Sequence, residues 1–104
     1  MKAVIDNKSL REIYTKGRSK KLRFPPGVAE KFVERVARIE AAINIDDLRY
    51  PPSMQFEKFQ GHQNYFSIRL NQQYRLVFEV KFDDNSKKTG IILIKEIWDH
   101  SKKY

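Results

Sequence analysis

From Tyr65 to Phe82 apolar and polar side chains alternate with a period of two, broken once by the polar triplet Asn71–Gln73. Phe66, Ile68 and Leu70 fall on one side of the first segment, with Tyr65, Ser67 and Arg69 on the other. Tyr74, Leu76, Phe78, Val80 and Phe82 make one row of the second segment, and Arg75, Val77, Glu79 and Lys81 make the opposite row. The pattern predicts two half-buried antiparallel strands joined by a short turn. It sets Arg69 and Arg75 away from the apolar rows, on a common open face. Guanidinium groups held on rigid strands suit a phosphate site, because their fork geometry matches phosphate oxygens.

Two more strands are expected at Met54–Phe59 and Ile91–Trp98, with connectors at Gln60–Asn64 and Asp83–Gly90. The run Ile91-Ile92-Leu93-Ile94 is apolar on both sides, as in a central strand. Support for an additional strand at Lys2–Ile5 is weak. Upstream, the spacing changes to that of helices. Ser9 and Glu12 form a capping-box pattern, Leu10, Ile13 and Tyr14 make a short stripe, and Gly17 closes a helix from about Ser9 to Lys16. After Pro25-Pro26-Gly27, Val28, Phe32, Val36, Ile39 and Ile43 recur at helical spacing, widened by Ala29, Val33 and Ala37. Glu30, Lys31, Glu34, Arg35, Arg38 and Glu40 take the other side. Asp46-Asp47-Leu48 predicts a brief turn before Pro51-Pro52 imposes an extended path. Helices first and strands afterwards is an α+β order: two N-terminal helices packed on a twisted antiparallel sheet of about four strands, as one domain over residues 1–104.

Composition narrows the function classes. The chain has 104 residues, 40% hydrophobic with seven Phe, five Tyr and one Trp, enough for a single core. It has no cysteine and two histidines, which leaves no disulfide framework and little for a zinc site. No signal-like segment or membrane-length apolar run occurs, so a cytoplasmic, soluble protein with no membrane association is expected. The net charge of +8 favours polyanionic partners. Lys16, Arg18, Lys20, Lys21 and Arg23 form one basic block, of which Arg18–Arg23 reads as a loop, and Lys87, Lys88, Lys102 and Lys103 lie towards the end.

Glycine-rich phosphate loops, His-x-x-x-His spacings and nucleophile elbows do not occur. The remaining candidates are a constellation on the sheet: Arg69, Arg75, Lys58, Tyr65, Asp99 and His100. His100 follows the last strand, where side chains emerge, and histidine titrates near neutrality. Asp99 beside it is a second proton acceptor. The bland alternatives are an ordinary surface histidine, and arginines paired with Glu79 or Glu96 on a wet face. His62 belongs to the Gln60–Asn64 loop and is expected in solvent. Trp98 reads first as packing and second as a stacking surface for a base.

In order along the chain stand Ala37-Arg38-Ile39-Glu40-Ala41-Ala42, Asp47-Leu48-Arg49-Tyr50-Pro51-Pro52, Phe59-Gln60-Gly61, Phe66-Ser67-Ile68-Arg69-Leu70-Asn71-Gln72-Gln73-Tyr74-Arg75-Leu76-Val77-Phe78 and Glu96-Ile97-Trp98-Asp99-His100. This series resembles the HigB family of plasmid-maintenance killer toxins, within the RelE/ParE superfamily. The resemblance runs clearly from Val28 to His100 and more loosely over the first helix. It implies a microbial-RNase-like fold and a toxin that cleaves translated mRNA in the ribosomal decoding site without a cofactor. It also implies a HigA-like helix-turn-helix antitoxin, through which alone operator DNA would be bound. By position, Arg69, Arg75 and His100 match the family's Ser-Ile-Arg arginine, the arginine after its tryptophan and its terminal histidine. The chain departs from the pattern in three places. Glu57-Lys58-Phe59 stands where some members carry a histidine, Trp98-Asp99-His100 replaces Asp-Tyr-His, and Ser101–Tyr104 extends past the last histidine.

On that resemblance Arg75, assisted by Arg69, would stabilise the phosphorane. His100 would move one proton, with Asp99 or Lys58 as the second partner. Tyr65 and the basic loop residues Lys20, Lys21 and Arg23 would hold RNA or the ribosome. The alternative is a non-catalytic module of the same fold that binds RNA, the ribosome or the antitoxin without turnover. A DNA-binding regulator in its own right would need an exposed basic recognition helix, which the pattern does not provide.

Overall fold

A computed structural model describes residues 1–100, so Lys102, Lys103 and the segment past His100 lie outside the described residues. In chain order the elements are β1 (Ala3–Ile5), α1 (Lys8–Lys16), α2 (Val28–Ala41), 3-10 turns at Ile45–Arg49 and Pro52–Met54, β2 (Glu57–Lys58), β3 (Tyr65–Arg69), β4 (Tyr74–Phe82) and β5 (Gly90–Asp99). The sheet runs β1-β5-β4-β3-β2. Neighbours are antiparallel except β1, which lies parallel to β5. The α+β architecture is as expected, but the sheet is mixed and five-stranded instead of antiparallel with about four strands. The weakly supported N-terminal segment forms the fifth strand. Ala3 and Ile5 pack against the core, and Asp6 then pairs with Lys95 on β5 at 2.8 Å. Among the described residues no helix is long and apolar enough to cross a membrane.

α1 starts one residue earlier than the spacing predicts. Its cap is Asn7, whose side chain accepts from the Leu10 N–H at 3.0 Å, so the Ser9–Glu12 box is not what starts it. Its end is as read: the Gly17 N–H donates to the Ile13 carbonyl at 2.8 Å. In α2, Val28, Phe32, Val36 and Ile39 are buried, each contributing about 1.5–3 kcal/mol of burial. The stripe does not continue to Ile43, which is 79% exposed. The Asp47 carboxylate takes the Ile43 and Asn44 N–H groups at 2.9 and 3.2 Å, and Asn44 caps the next turn. These bonds draw the chain out of the helix before Ile43 can turn inward. Ala37 is also exposed, whereas Arg35, placed by its charge on the wet side, is buried. Its Nε donates to the Arg69 carbonyl at 3.2 Å and thereby ties α2 to the end of β3.

The strand expected at Met54–Phe59 shrinks to Glu57 and Lys58. Met54 turns into the core within the second 3-10 turn, and Gln55 follows in a left-handed conformation at φ 48°. β4 has the predicted bounds, and its row Leu76, Phe78, Val80 is fully buried beneath the helices. β5 is not covered on both faces: Ile92 and Ile94 face the core, while Ile91 is 42% exposed. A bulge opposite Val77 and Phe78 inserts Lys95 into β5, where it reaches Glu79 at 3.5 Å as well as Asp6.

The face away from the helices therefore carries two adjacent transverse rows. One contains Glu57, Ser67, Val77 and Glu96, and the other Arg69, Arg75 and Trp98. Their positions depend on close pairing of β4 with β5. At its far end Gly90 sits so near β4 that an added Cβ would meet the Lys81 carbonyl oxygen and lie 2.8 Å from the Phe82 Cα. Backbone cannot give way as a side-chain tip can. Gly90→Ala is expected to cost about 1–3 kcal/mol as overpacking. Thermal melting should report it as a fall of about 4–8 °C for each kcal/mol. An unchanged Tm would show that this end of the ladder is loose.

Candidate active site

A cavity of about 450 Å³ opens on the helix-free face, walled by Glu57, Lys58, Phe59, Ser67, Arg75, Trp98 and His100 together with Gln55 and Gln60. Arg75 forms its floor. The side chain shares a face with Arg69, as the alternation requires, but it is not open: Arg75 is only 6% exposed. The edge-to-face pair of Phe59 and Trp98, with centroids 5.1 Å apart, stands among the walls beside it. Its Nε donates to the Ser67 hydroxyl at 2.8 Å, and one terminal nitrogen donates to the Ser67 carbonyl at 3.2 Å and to the Gln55 carbonyl. That nitrogen also pairs with the Glu57 carboxylate at 3.2 Å. Neither Glu79 nor Glu96 is its partner.

Burial and ion pairing act on this cation in opposite directions. Burial pulls the Arg75 pKa below the usual arginine value, the Glu57 carboxylate opposes that pull, and the nearby Arg69 charge adds to it. Guanidinium remains protonated through the physiological range. Glu57, with its side chain 61% exposed, stands at the solvent side of the pair.

His100 reaches the same cavity from the end of β5. Its backbone N–H donates to the Gln73 carbonyl at 3.0 Å, and its Nδ1 lies 2.9 Å from that oxygen. A carbonyl oxygen accepts and cannot donate, so Nδ1 carries the proton of this bond. Nε2 is left for chemistry, as an acceptor in the neutral ring or a donor in the charged one. The β3–β4 turn that supplies Gln73 is itself held by the Asn71 side chain, which accepts from the Gln73 and Tyr74 N–H groups at 2.8 Å.

The other candidates from the sequence separate. Lys58 is exposed and belongs to the cavity wall. Arg69 stands opposite Arg75 in the β3–β4 ladder without walling the cavity. Asp99 pairs with Tyr74 in the ladder, outside the cavity wall, and its carboxylate accepts from the Gln73 side-chain amide at 3.1 Å. It therefore touches the residue that holds His100. Tyr65 lies beyond the wall, stacked on His62 at 4.6 Å. Lys20 and Arg23 meet Lys16, Arg18, Ser19 and the acidic Glu12 around a separate hollow of about 540 Å³. Lys21 is exposed beside it.

Sequence reasoning missed Glu57, Ser67 and Gln55. Glu57 lay inside a predicted strand next to Lys58, but nothing in the text pairs it with Ser67; that register carries its carboxylate to Arg75. Among the described residues no three His, Asp or Glu side chains converge as a metal site would require.

Comparisons with known proteins agree with this architecture. A family model described as the RelE-like toxin of type II toxin-antitoxin system HigB matches residues 4–90, a span that includes Glu57 and Arg75 but stops before His100. Toxin HigB-1 of Vibrio cholerae serotype O1 is 32% identical over 74 residues, covering 70% of this chain and 77% of that protein. An uncharacterized protein of Haemophilus influenzae is 34% identical over 64 residues, 61% of each chain. In fold, the chain is similar to the YoeB/ParE toxin from Agrobacterium tumefaciens, with a TM-score of 0.54 at 17% identity over 96% of this chain and 99% of that one. With the family model spanning most of its length, the chain belongs to the HigB family of RelE-like toxins of type II toxin–antitoxin systems, and an antitoxin is its partner.

Proposed function

We propose that the cavity is the active site of an endoribonuclease that cuts mRNA on the ribosome and so inhibits translation. The observation that carries this reading is the meeting of a carboxylate, a buried guanidinium and an imidazole in one cavity, Glu57, Arg75 and His100. Transesterification of RNA needs three services: an acceptor for the 2′-hydroxyl proton, a cation for the charge of the pentacoordinate phosphorane, and a donor for the departing 5′ oxygen. Glu57 takes the 2′ proton as the 2′ oxygen attacks phosphorus. Arg75 exchanges its carboxylate partner for the phosphoryl oxygens, with Arg69 adding charge from the next strand. His100, protonated, gives its proton from Nε2 to the 5′ oxygen as the P–O bond breaks. The products are a 2′,3′-cyclic phosphate and a 5′-hydroxyl. Lys58 supplies further charge at the wall. Asp99 is a positioning residue in this reading, acting through Gln73.

One acid or base is worth about 10²–10⁴-fold and one electrostatic donor about 10²–10³-fold. A site this open gains the remainder when the ribosome holds the message aligned. The basic hollow of Lys20 and Arg23, with Lys21 beside it, supports docking on rRNA phosphates, and Tyr65 supports contact with the message. A HigA-like helix-turn-helix antitoxin would neutralise the toxin and carry any contact with operator DNA, in the cytoplasm where ribosomes and operator are found.

A competing reading is a binding module without turnover. It draws on the Arg75 guanidinium, whose hydrogen bonds already go to Ser67, Gln55 and Glu57 and tie β4 to β2 and β3.

Induction of the toxin without its antitoxin, followed by mapping of new mRNA 5′ ends, separates the two. Cuts inside translated codons are expected, and arrest without cuts supports the binder. Glu57→Gln and His100→Gln should each lower cleavage about 10²-fold or more, His100→Gln with unfolding unchanged. Arg75→Ala should abolish cleavage and also cost roughly 1.5–3 kcal/mol, since it strips hydrogen bonds from a charged group. Full activity in the His100 variant would remove that residue from the mechanism.

Replacing Lys20, Lys21 and Arg23 together with alanine should weaken ribosome binding and flatten its salt dependence by about one unit of slope or more. Equal slopes for variant and wild type would give that loop another use.

A further inference from the structure

The hairpin loop that follows β2 brings the ring of His62 against those of Phe59 and Tyr65 beside the cavity. It is closed by the Phe59 N–H donating to the Tyr65 carbonyl at 2.8 Å. Gly61 at φ 91° and Asn64 at φ 61° bend it back through left-handed conformations, which few side chains tolerate. The imidazole of His62 consequently lies on Tyr65, with centroids 4.6 Å apart and planes 26° from parallel. It is also near-parallel to Phe59, at 6.4 Å and 12°. Phe59 is shared, being both a cavity wall and the edge-to-face partner of Trp98. Ring contacts therefore run from Trp98 in the cavity wall through Phe59 and His62 to Tyr65, and of the loop's rings His62 is the exposed one.

An aromatic group kept in solvent on a bent loop adds little to the core, yet its orientation is fixed by two neighbours. We propose that His62, supported by Tyr65 and Phe59, is a stacking platform for an unpaired RNA base next to the phosphodiester held at Arg75. This inference rests on the RNA reading of the cavity and names the part of the substrate that the loop would grip. Stacking suits the position because every base presents a π face and a fixed ring loses little freedom on contact. The arrangement also separates two tasks. Arg75, Glu57 and His100 address the backbone, which is the same at every nucleotide, and the loop addresses the base.

The single Trp of the chain, Trp98, lies in the cavity wall and reports occupancy by its fluorescence. The probes are single-stranded oligoribonucleotides made uncleavable by 2′-deoxy substitution, one intact and a series each lacking one base. His62→Ala should weaken binding of the intact strand about 5- to 100-fold, the range that stacking of one base supplies. It should leave affinity unchanged for the strand that lacks the stacked base. His62→Phe should restore binding, because it replaces the ring and not the titrating group. Equal weakening of every strand, no weakening at all, failure of phenylalanine to restore, or no saturable change in Trp98 emission would each overturn the platform. Failure here differs from failure of the nuclease reading. Base-dependent binding without cleavage keeps the platform and removes the enzyme; cleavage with no response to His62→Ala does the reverse.

Discussion

The guanidinium of Arg75 carries a permanent charge at a position almost closed to water, and four protein oxygens compensate for it. Ser67 supplies a hydroxyl and a carbonyl, Gln55 a carbonyl and Glu57 a carboxylate. They come from β3, from the residue that closes the second 3-10 turn and from β2, so one side chain of β4 gathers three segments. Removing a buried charge's partners is costly, whereas a lone exposed ion pair is worth little. β2 has just two paired residues, and it lies at the sheet edge where Glu57 meets this cation. Burial and the Arg69 charge nonetheless hold Arg75 below its ordinary pKa, against the pull of Glu57.

The remainder of the helix-free face serves that cation in different ways. The bulge at Lys95 lets β5 keep its core residues inward while Trp98 stands opposite Arg75. The β3–β4 turn presents the Gln73 carbonyl, which holds both the backbone and the ring of His100. The imidazole at the end of the strand is thus fixed without being buried. Arg75 supports the fold as well as the proposed chemistry, which is why His100 discriminates mechanism from stability better than the arginine does.

How much of this was legible in the chain depends on how local each determinant is. β4 could be read to the residue because alternation over Tyr74–Phe82 is uninterrupted and its turn is short. The α2 stripe was equally plain, but its end was not. The Asp47 side chain, four and three residues beyond the groups it binds, overrides a stripe that continues on paper to Ile43. Charge misplaced Arg35, whose burial depends on reaching a carbonyl 34 residues away. Of the candidates read from the sequence, Arg75 and His100 share the cavity with Lys58, whereas Asp99 falls in the alternate position of β5, outside the cavity wall. Glu57 escaped notice because a two-residue edge strand has no periodicity of its own. Its register with Ser67 appears only once the sheet is assembled.

Attack by the ribose 2′-hydroxyl, the route proposed for Glu57, Arg75 and His100, leaves strand ends that attack by water does not. Purified toxin should be mixed with translating ribosomes, and the ends of the resulting mRNA fragments determined. The account predicts 5′-hydroxyl ends that accept a labelled phosphate directly, together with 2′,3′-cyclic phosphates on the upstream pieces. Fragments bearing 5′-phosphates and free 3′-hydroxyls would mean that water, and not the ribose hydroxyl, attacked phosphorus, and would contradict it.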